Sequence, residues 1–204
     1  QDMYVNKIGG SMFNKNVVRI GVSFALAGLS MASLAAERID LRERNGMMGV
    51  MAATSNPQQM LSMSANESLT LRKEIVETDG KVFQRYQQMY QGIPVWGDEV
   101  VVVRNPNQIV SSMHGVYTQN IVQDVATTTP TLSRTRLPRI IRGLQSANHN
   151  GSDYAIEREQ QELVIYVHEG IAKLAYAVSY FADKKGGGDP SWPHALIDAH
   201  TGEV

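Results

Sequence analysis

Val82-Phe83-Gln84-Arg85-Tyr86-Gln87-Gln88-Met89-Tyr90-Gln91-Gly92-Ile93-Pro94-Val95-Trp96-Gly97-Asp98-Glu99-Val100-Val101-Val102-Val103-Arg104 reads as strand, turn, strand. Four consecutive valines favour extended backbone, because a β-branched side chain packs well on a pleated surface. Gln91-Gly92 supplies the turn. Upstream, Asp79-Gly80 is a second turn, with Leu71 to Thr78 as the strand before it. Downstream, Asn105-Pro106-Asn107 turns the chain again and Ile109 to Val116 returns. The segment is expected to be an antiparallel meander. Its second strand carries a warning. Arg85 and Gln87 share a face with Phe83 and Met89, while Tyr86, Gln88 and Tyr90 share the other with Val82 and Gln84. Neither face is simply apolar. A buried polar side chain without a hydrogen bond costs about 1–3 kcal/mol, so this strand is expected to carry a buried polar network or to meet a partner.

On either side the pattern changes. Residues 36–66 are ambiguous, with Met47, Met48, Met51, Met60 and Met63 among polar residues, although Asn56-Pro57 suits a helix start with proline at the first position. Thr127-Thr128-Thr129-Pro130-Thr131 is a polar break and the best linker candidate, placed at 127–132. Beyond it Ser133 suits a helix cap, and Leu137, Ile140, Ile141 and Leu144 fall at i, i+3, i+4 and i+7, one helical face. Arg134, Arg136, Arg139 and Arg142 decorate the rest, read as a solvated face rather than a membrane-binding one. Leu163 to Val167 is a strand candidate and His168-Glu169-Gly170 a turn. In Ile171 to Phe181 the alternation of Ala172, Leu174, Tyr176, Val178 and Tyr180 predicts a strand with one buried side. Gly186-Gly187-Gly188 marks a loop, His194 to Ala199 a last strand, and Thr201-Gly202 a turn. The fold class expected is α+β, as two small antiparallel-sheet units, 36–126 and 133–204, each with a helix packed on it.

The 204 residues are 43% hydrophobic and 19% charged, enough to bury a core. A net charge of −1 does not favour a nucleic-acid partner, and the lack of cysteine excludes disulfides and thiolate sites. Near the start, Met12 to Arg19 is a short basic opening, Ile20 to Leu29 an apolar run, and Ser33 and Ala35 are small residues at −3 and −1 of a cleavage site. That order is a secretory signal peptide. It is placed at 12–35, with 1–11 upstream residues, cleavage between Ala35 and Ala36, and no stable membrane anchor in the product.

The sequence carries few patterns of catalytic residues. His168-Glu169 begins the H-E-x-x-H zinc pattern, but Ala172 stands where the second histidine belongs. There is no G-x-S-x-G elbow, and the triple glycine lacks the Lys-Ser or Lys-Thr of a phosphate loop. His194, Asp198 and His200 could approach one another, but a strand-end turn with satisfied polar groups is the blander reading. Asp98 and Glu99 are expected to face water beside a turn. Trp96 and Trp192 are candidates for partner contact, although core packing is the favoured reading of each from the residues alone.

Phe83 to Gly97 resembles the signature of the fungalysin/thermolysin propeptide domain, in which an Arg-x-x-Gln strand runs into a Gly-Ile-Pro-Val turn and a glycine. Leu174-Ala175-Tyr176-Ala177-Val178, followed by Ala195-Leu196-Ile197-Asp198-Ala199-His200-Thr201-Gly202-Glu203-Val204, resembles the PepSY domain with its Asp-Ala-x-Thr-Gly-Glu strand and turn. Pro138 departs from the smooth helix of that pattern. In this order, behind a signal peptide, the two resemble the pro-region of a secreted thermolysin-like zinc protease of the vibriolysin branch. The resemblance implies a non-catalytic chain, exported through the periplasm of a Gram-negative bacterium. Such a chain acts as intramolecular chaperone and then as non-covalent inhibitor of its cognate protease catalytic domain. Zinc and calcium are expected in that domain, and no cofactor in this chain. The PepSY domain is expected to be cut short at Val204, with the protease domain beyond. The partner contacts implied are Arg85, Gln87, Tyr90, Trp96, Trp192, His200 and Glu203. A free-standing envelope module of PepSY type is the alternative.

Overall fold

The computed structural model describes residues 35–44, 55–133, 135–149 and 153–204. Most of the proposed leader and Met47, Met48, Met51 and Arg134 lie outside them. From Ala35 onward the described chain belongs to one compact unit.

The meander forms where its turns require it. Strands β1 (Glu37–Asp40), β2 (Glu67–Val76), β3 (Val82–Tyr90), β4 (Ile93–Arg104) and β5 (Val110–Gln119) make an antiparallel sheet in the order β2-β3-β4-β5-β1. The β3–β4 hairpin closes through Gln91 (φ 47) and Gly92 (φ 80), a two-residue turn whose twist suits the strands it joins. Two short helices, α1 (Leu41–Arg44) and α2 (Pro57–Met60), lie on the sheet's inner side. Asn56 caps α2, its side-chain oxygen accepting from the Gln58 N–H at 3.0 Å, and Pro57 occupies the first turn. Leu41, Met60 and Leu61 are buried there with Val100, Val102, Met113 and Tyr117.

The second sheet contains β6 (Tyr154–His168), β7 (Ile171–Lys184) and β8 (His194–Asp198), antiparallel throughout. After the one-turn helix α3 (Ile121–Asp124), helix α4 (Leu137–Asn148) covers one face of this sheet. Leu137, Ile140, Ile141 and Leu144 pack on Tyr176, Val178 and Ile197, the face that the helical spacing selects. Arg139 and Arg142 on this helix, and Arg136 just before it, are exposed.

Strand β4 joins the sheets. Its first half pairs in parallel with β6 at Val95↔Ile165, and its second half pairs with β5 from Val100 onward. The change of partner falls at Gly97, whose φ of +77° bends the strand out of the ladder. A shared core forms at the junction, with Tyr90, Val95, Ile121 and Val125 from the N-terminal side against Ile165, Ala172, Leu174 and Ala199. The polar break at 127–132 therefore lies between two sheets that are joined by a strand and by a core.

Three expectations change. Strand β6 begins at Tyr154, well before Leu163: residues 157–162 are exposed and pair with β7 on either side of a bulge at Arg158-Glu159, so no apolar period reveals them. Strand β7 is not one-sided, since Ala175, Ala177 and Ser179 on its outer face are buried too. Asp98 does not face water: it is 1% exposed.

Candidate partner-binding face

The mixed strand β3 resolves into a buried polar network beside an open surface. Gln88 is wholly buried. Its amide nitrogen donates to the Thr118 carbonyl at 2.7 Å and its oxygen accepts from the Thr118 N–H at 2.8 Å, so one side chain replaces a missing pair of ladder bonds where β4 and β5 part. The Thr118 hydroxyl donates to Asp98 Oδ2, and Arg38 Nε donates to Asp98 Oδ1 at 2.8 Å. Arg38 also donates to the Gly97 carbonyl at 2.9 Å. On the opposite face Gln87 donates to the carbonyls of Val95 (2.7 Å), Asp98 (3.0 Å) and Gln88 (3.1 Å), which lie around the register shift. The closest backbone approach is at Gly115. A Cβ there would stand 2.1 Å from the Glu99 carbonyl oxygen, and its φ is +103°.

This framework holds a polar and aromatic surface on the outer side of both sheets. A hollow of about 610 Å³ is lined by Arg72, Arg85, Gln87, Trp96, Glu99 and Glu162, among others. Arg85 pairs with Glu99 at 3.2 Å, both half in solvent; such an exposed pair contributes at most about 1 kcal/mol to stability. Trp96, 42% exposed, also borders a second hollow of about 580 Å³ over β6, β7 and β8, with Ala177, Ser179, His194 and Leu196 in its wall. Beneath that face Val164, Ala175 and Ala177 form an apolar layer with Tyr166 and Leu196. Among the described residues no helix lies on it, because α4 occupies the opposite side.

The structure brings Arg85, Gln87 and Trp96 together at one hollow and places the other four elsewhere. Glu203 borders a separate hollow near the end of β8 with Asp198 and Leu196. Tyr90 is 1% exposed in the junction core, where burial raises its phenol above the ordinary value, and it offers a partner no surface. Trp192 is 44% exposed, edge-on to Phe181 at 5.6 Å. His200 is turned to Thr131, its Nδ1 3.1 Å from the hydroxyl. Neither tryptophan is in the core. Asp198 caps the final turn, Oδ1 accepting from the His200 and Thr201 N–H groups at 2.8 Å each. Burial pushes its carboxyl up. The Thr201 and His200 N–H groups, the Thr201 hydroxyl and the charge of Lys173 outweigh that and hold it below the ordinary carboxylate range. Among the described residues no group of three or more His, Cys, Asp or Glu could hold a metal ion, and no helix is long and apolar enough to cross a membrane. Sequence reasoning missed Asp98 and Thr118. The one signal was the unexplained glutamine on β3, which had to find a partner.

Residues 67–117 match the Fungalysin/Thermolysin Propeptide Motif. Similarity to known proteins runs further. The chain is 31% identical over 148 residues to the Hemagglutinin/proteinase of Vibrio cholerae, covering 72% of this chain and 24% of that protein. It is 34% identical over 134 residues to the Neutral protease of Vibrio proteolyticus (65% and 21%). With the Neutral protease B of Bacillus subtilis it shares 31% over 149 residues (72% and 27%). The chain thus spans about a quarter of the length of these relatives. It carries the propeptide motif and is homologous to neutral proteases of Vibrio and Bacillus.

Proposed function

We propose that this chain is the pro-region of a secreted thermolysin-family zinc metalloendopeptidase, a folding chaperone for the catalytic domain and its non-covalent inhibitor after self-cleavage. The observation that carries the reading is the propeptide motif at 67–117, with similarity to proteases extending well beyond it. In this reading zinc and calcium belong to the catalytic domain, and the C-terminal sheet is a PepSY domain.

The outer face around Trp96 supports it. A binder that recognises the folded protease stabilises it by mass action. Covalent attachment raises its effective concentration until the link is cut. Such a binder needs a preformed surface, and Gln87 and Arg38 keep this one in place by holding the carbonyls at the corner of β4. Trp96 supplies a large apolar contact, and Arg85 and Glu99 supply a polar rim.

The test is to add the pro-region to the mature protease of the same precursor and titrate peptide hydrolysis, and separately to dilute denatured protease with and without it. Inhibition, with active protease recovered only when the pro-region is present, is the expected outcome. Trp96→Ala should weaken inhibition by about tenfold or more while leaving the pro-region's unfolding midpoint nearly unchanged. A folded pro-region that neither inhibits nor aids refolding would overturn the proposal and favour a free-standing envelope module.

A further inference from the structure

We infer that Asp124 is the seat of a new chain terminus: the α-ammonium group freed at Ala36 when a leader peptide is removed. The inference rests on the export reading above and adds to it a structural role for the cut. Ala36 is 3% exposed, and its nitrogen donates to Asp124 Oδ2 at 3.0 Å. The same oxygen accepts from the Ala172 N–H at 2.9 Å. Asp124 thereby ties the start of the N-terminal sheet to the start of β7, across the core that contains both Ala36 and Ala172. It takes part in none of the ion pairs formed among the described residues. Among the described residues, then, no side-chain cation balances this carboxylate, which holds two sheets together through backbone N–H groups.

Hydrolysis of the Ala35–Ala36 bond supplies that cation. One water is consumed and the C–N bond breaks. Ala35 leaves as a carboxylate, and the nitrogen of Ala36 becomes an ammonium with three protons. What was a neutral amide donor to a carboxylate becomes a cationic one, so the hydrogen bond becomes an ion pair as well. Because Ala36 is buried once the chain folds, the cut must come first, on an unfolded chain as it is exported. Removal of the leader then completes the junction between the sheets.

The experiment begins with N-terminal sequencing of the pro-region from the exported, full-length precursor. Ala36 is the expected first residue; any other overturns the inference and leaves the inhibition test above untouched. With Ala36 first, the α-amine of the folded protein should react with acetic anhydride at least about tenfold more slowly than in denaturant. Asp124→Asn should restore most of the denatured rate. Equal protection in that variant would mean that burial alone shields the amine, and would overturn the inference. Should the variant fail to fold, a wild-type precursor cut so that it begins at Ala35 serves instead. It should unfold at lower denaturant than the chain that begins at Ala36, and equal midpoints would overturn the proposal.

Discussion

The two sheets are held by different means. In the N-terminal sheet β4 and β5 part company, and Gln88, Thr118, Asp98 and Arg38 bridge the gap with directed hydrogen bonds. In the C-terminal sheet Leu174, Val178 and Ile197 pack against apolar neighbours, and among the described residues of its strands Ser179 is the one buried polar side chain. A directed network demands particular residues at particular places, whereas an apolar layer accepts many of similar size. The propeptide motif at 67–117 contains Gln88 and Asp98 of that network, while Thr118 and Arg38 lie outside it.

The largest effect should come from closing the tightest approach in the N-terminal sheet. Gly115→Ala places a methyl against the Glu99 carbonyl at a backbone angle alanine avoids. It should cost about 3 kcal/mol or more, measured by urea unfolding, and its failure to fold is the extreme of the same outcome. A near-wild-type midpoint would show that the seam between β4 and β5 is soft, and would break the comparison.

Next, Asp98→Ala leaves the Thr118 hydroxyl without its acceptor and Arg38 without its carboxylate. We expect a loss of about 2–3 kcal/mol, below the figure for a fully buried pair because the Arg38 side chain is half exposed. The two regions are compared most directly by one substitution in each. Gln88→Met keeps the volume but strands the N–H and C=O of Thr118, for about 2 kcal/mol or more. Leu174→Met keeps the volume of a buried residue with nothing to strand, and should cost under about 1.5 kcal/mol. Equal losses would mean that the polar network adds no specificity beyond packing.

The smallest effect lies at the last turn. The depressed carboxyl of Asp198 contributes stability that is present above the ordinary carboxylate range and is lost as pH falls through its own, lower value. Asp198→Asn should therefore be slightly less stable than wild type near neutrality, and the difference should shrink in acid. A gap that persists unchanged at low pH would assign the effect to shape rather than charge.

Much of this architecture is readable from local pattern. The Asp79-Gly80 and Gln91-Gly92 turns, the valine strand, the apolar face of α4 and the alternation along β7 each state their structure within a few residues. What pattern hides is whatever depends on a distant neighbour. Residues 157–162 are a strand only because β7 lies beside them. Asp98 is buried because Arg38 and Thr118, 60 and 20 residues away in sequence, converge on it. The seven residues suggested as partner contacts show the same division. Sequence singles out long polar and aromatic side chains, but only the fold separates Trp96, exposed, from Tyr90, buried six residues earlier.

By itself, then, the sequence determined the meander, the helix and its buried face, and a family resemblance, because turns, periods and motifs are local properties of a chain. The tertiary structure alone decided that one strand serves both sheets, that a polar network plugs the gap where they divide, and that an open face lies around Trp96. Burial and hydrogen-bond satisfaction are properties of pairs brought together by folding, and no single segment carries them.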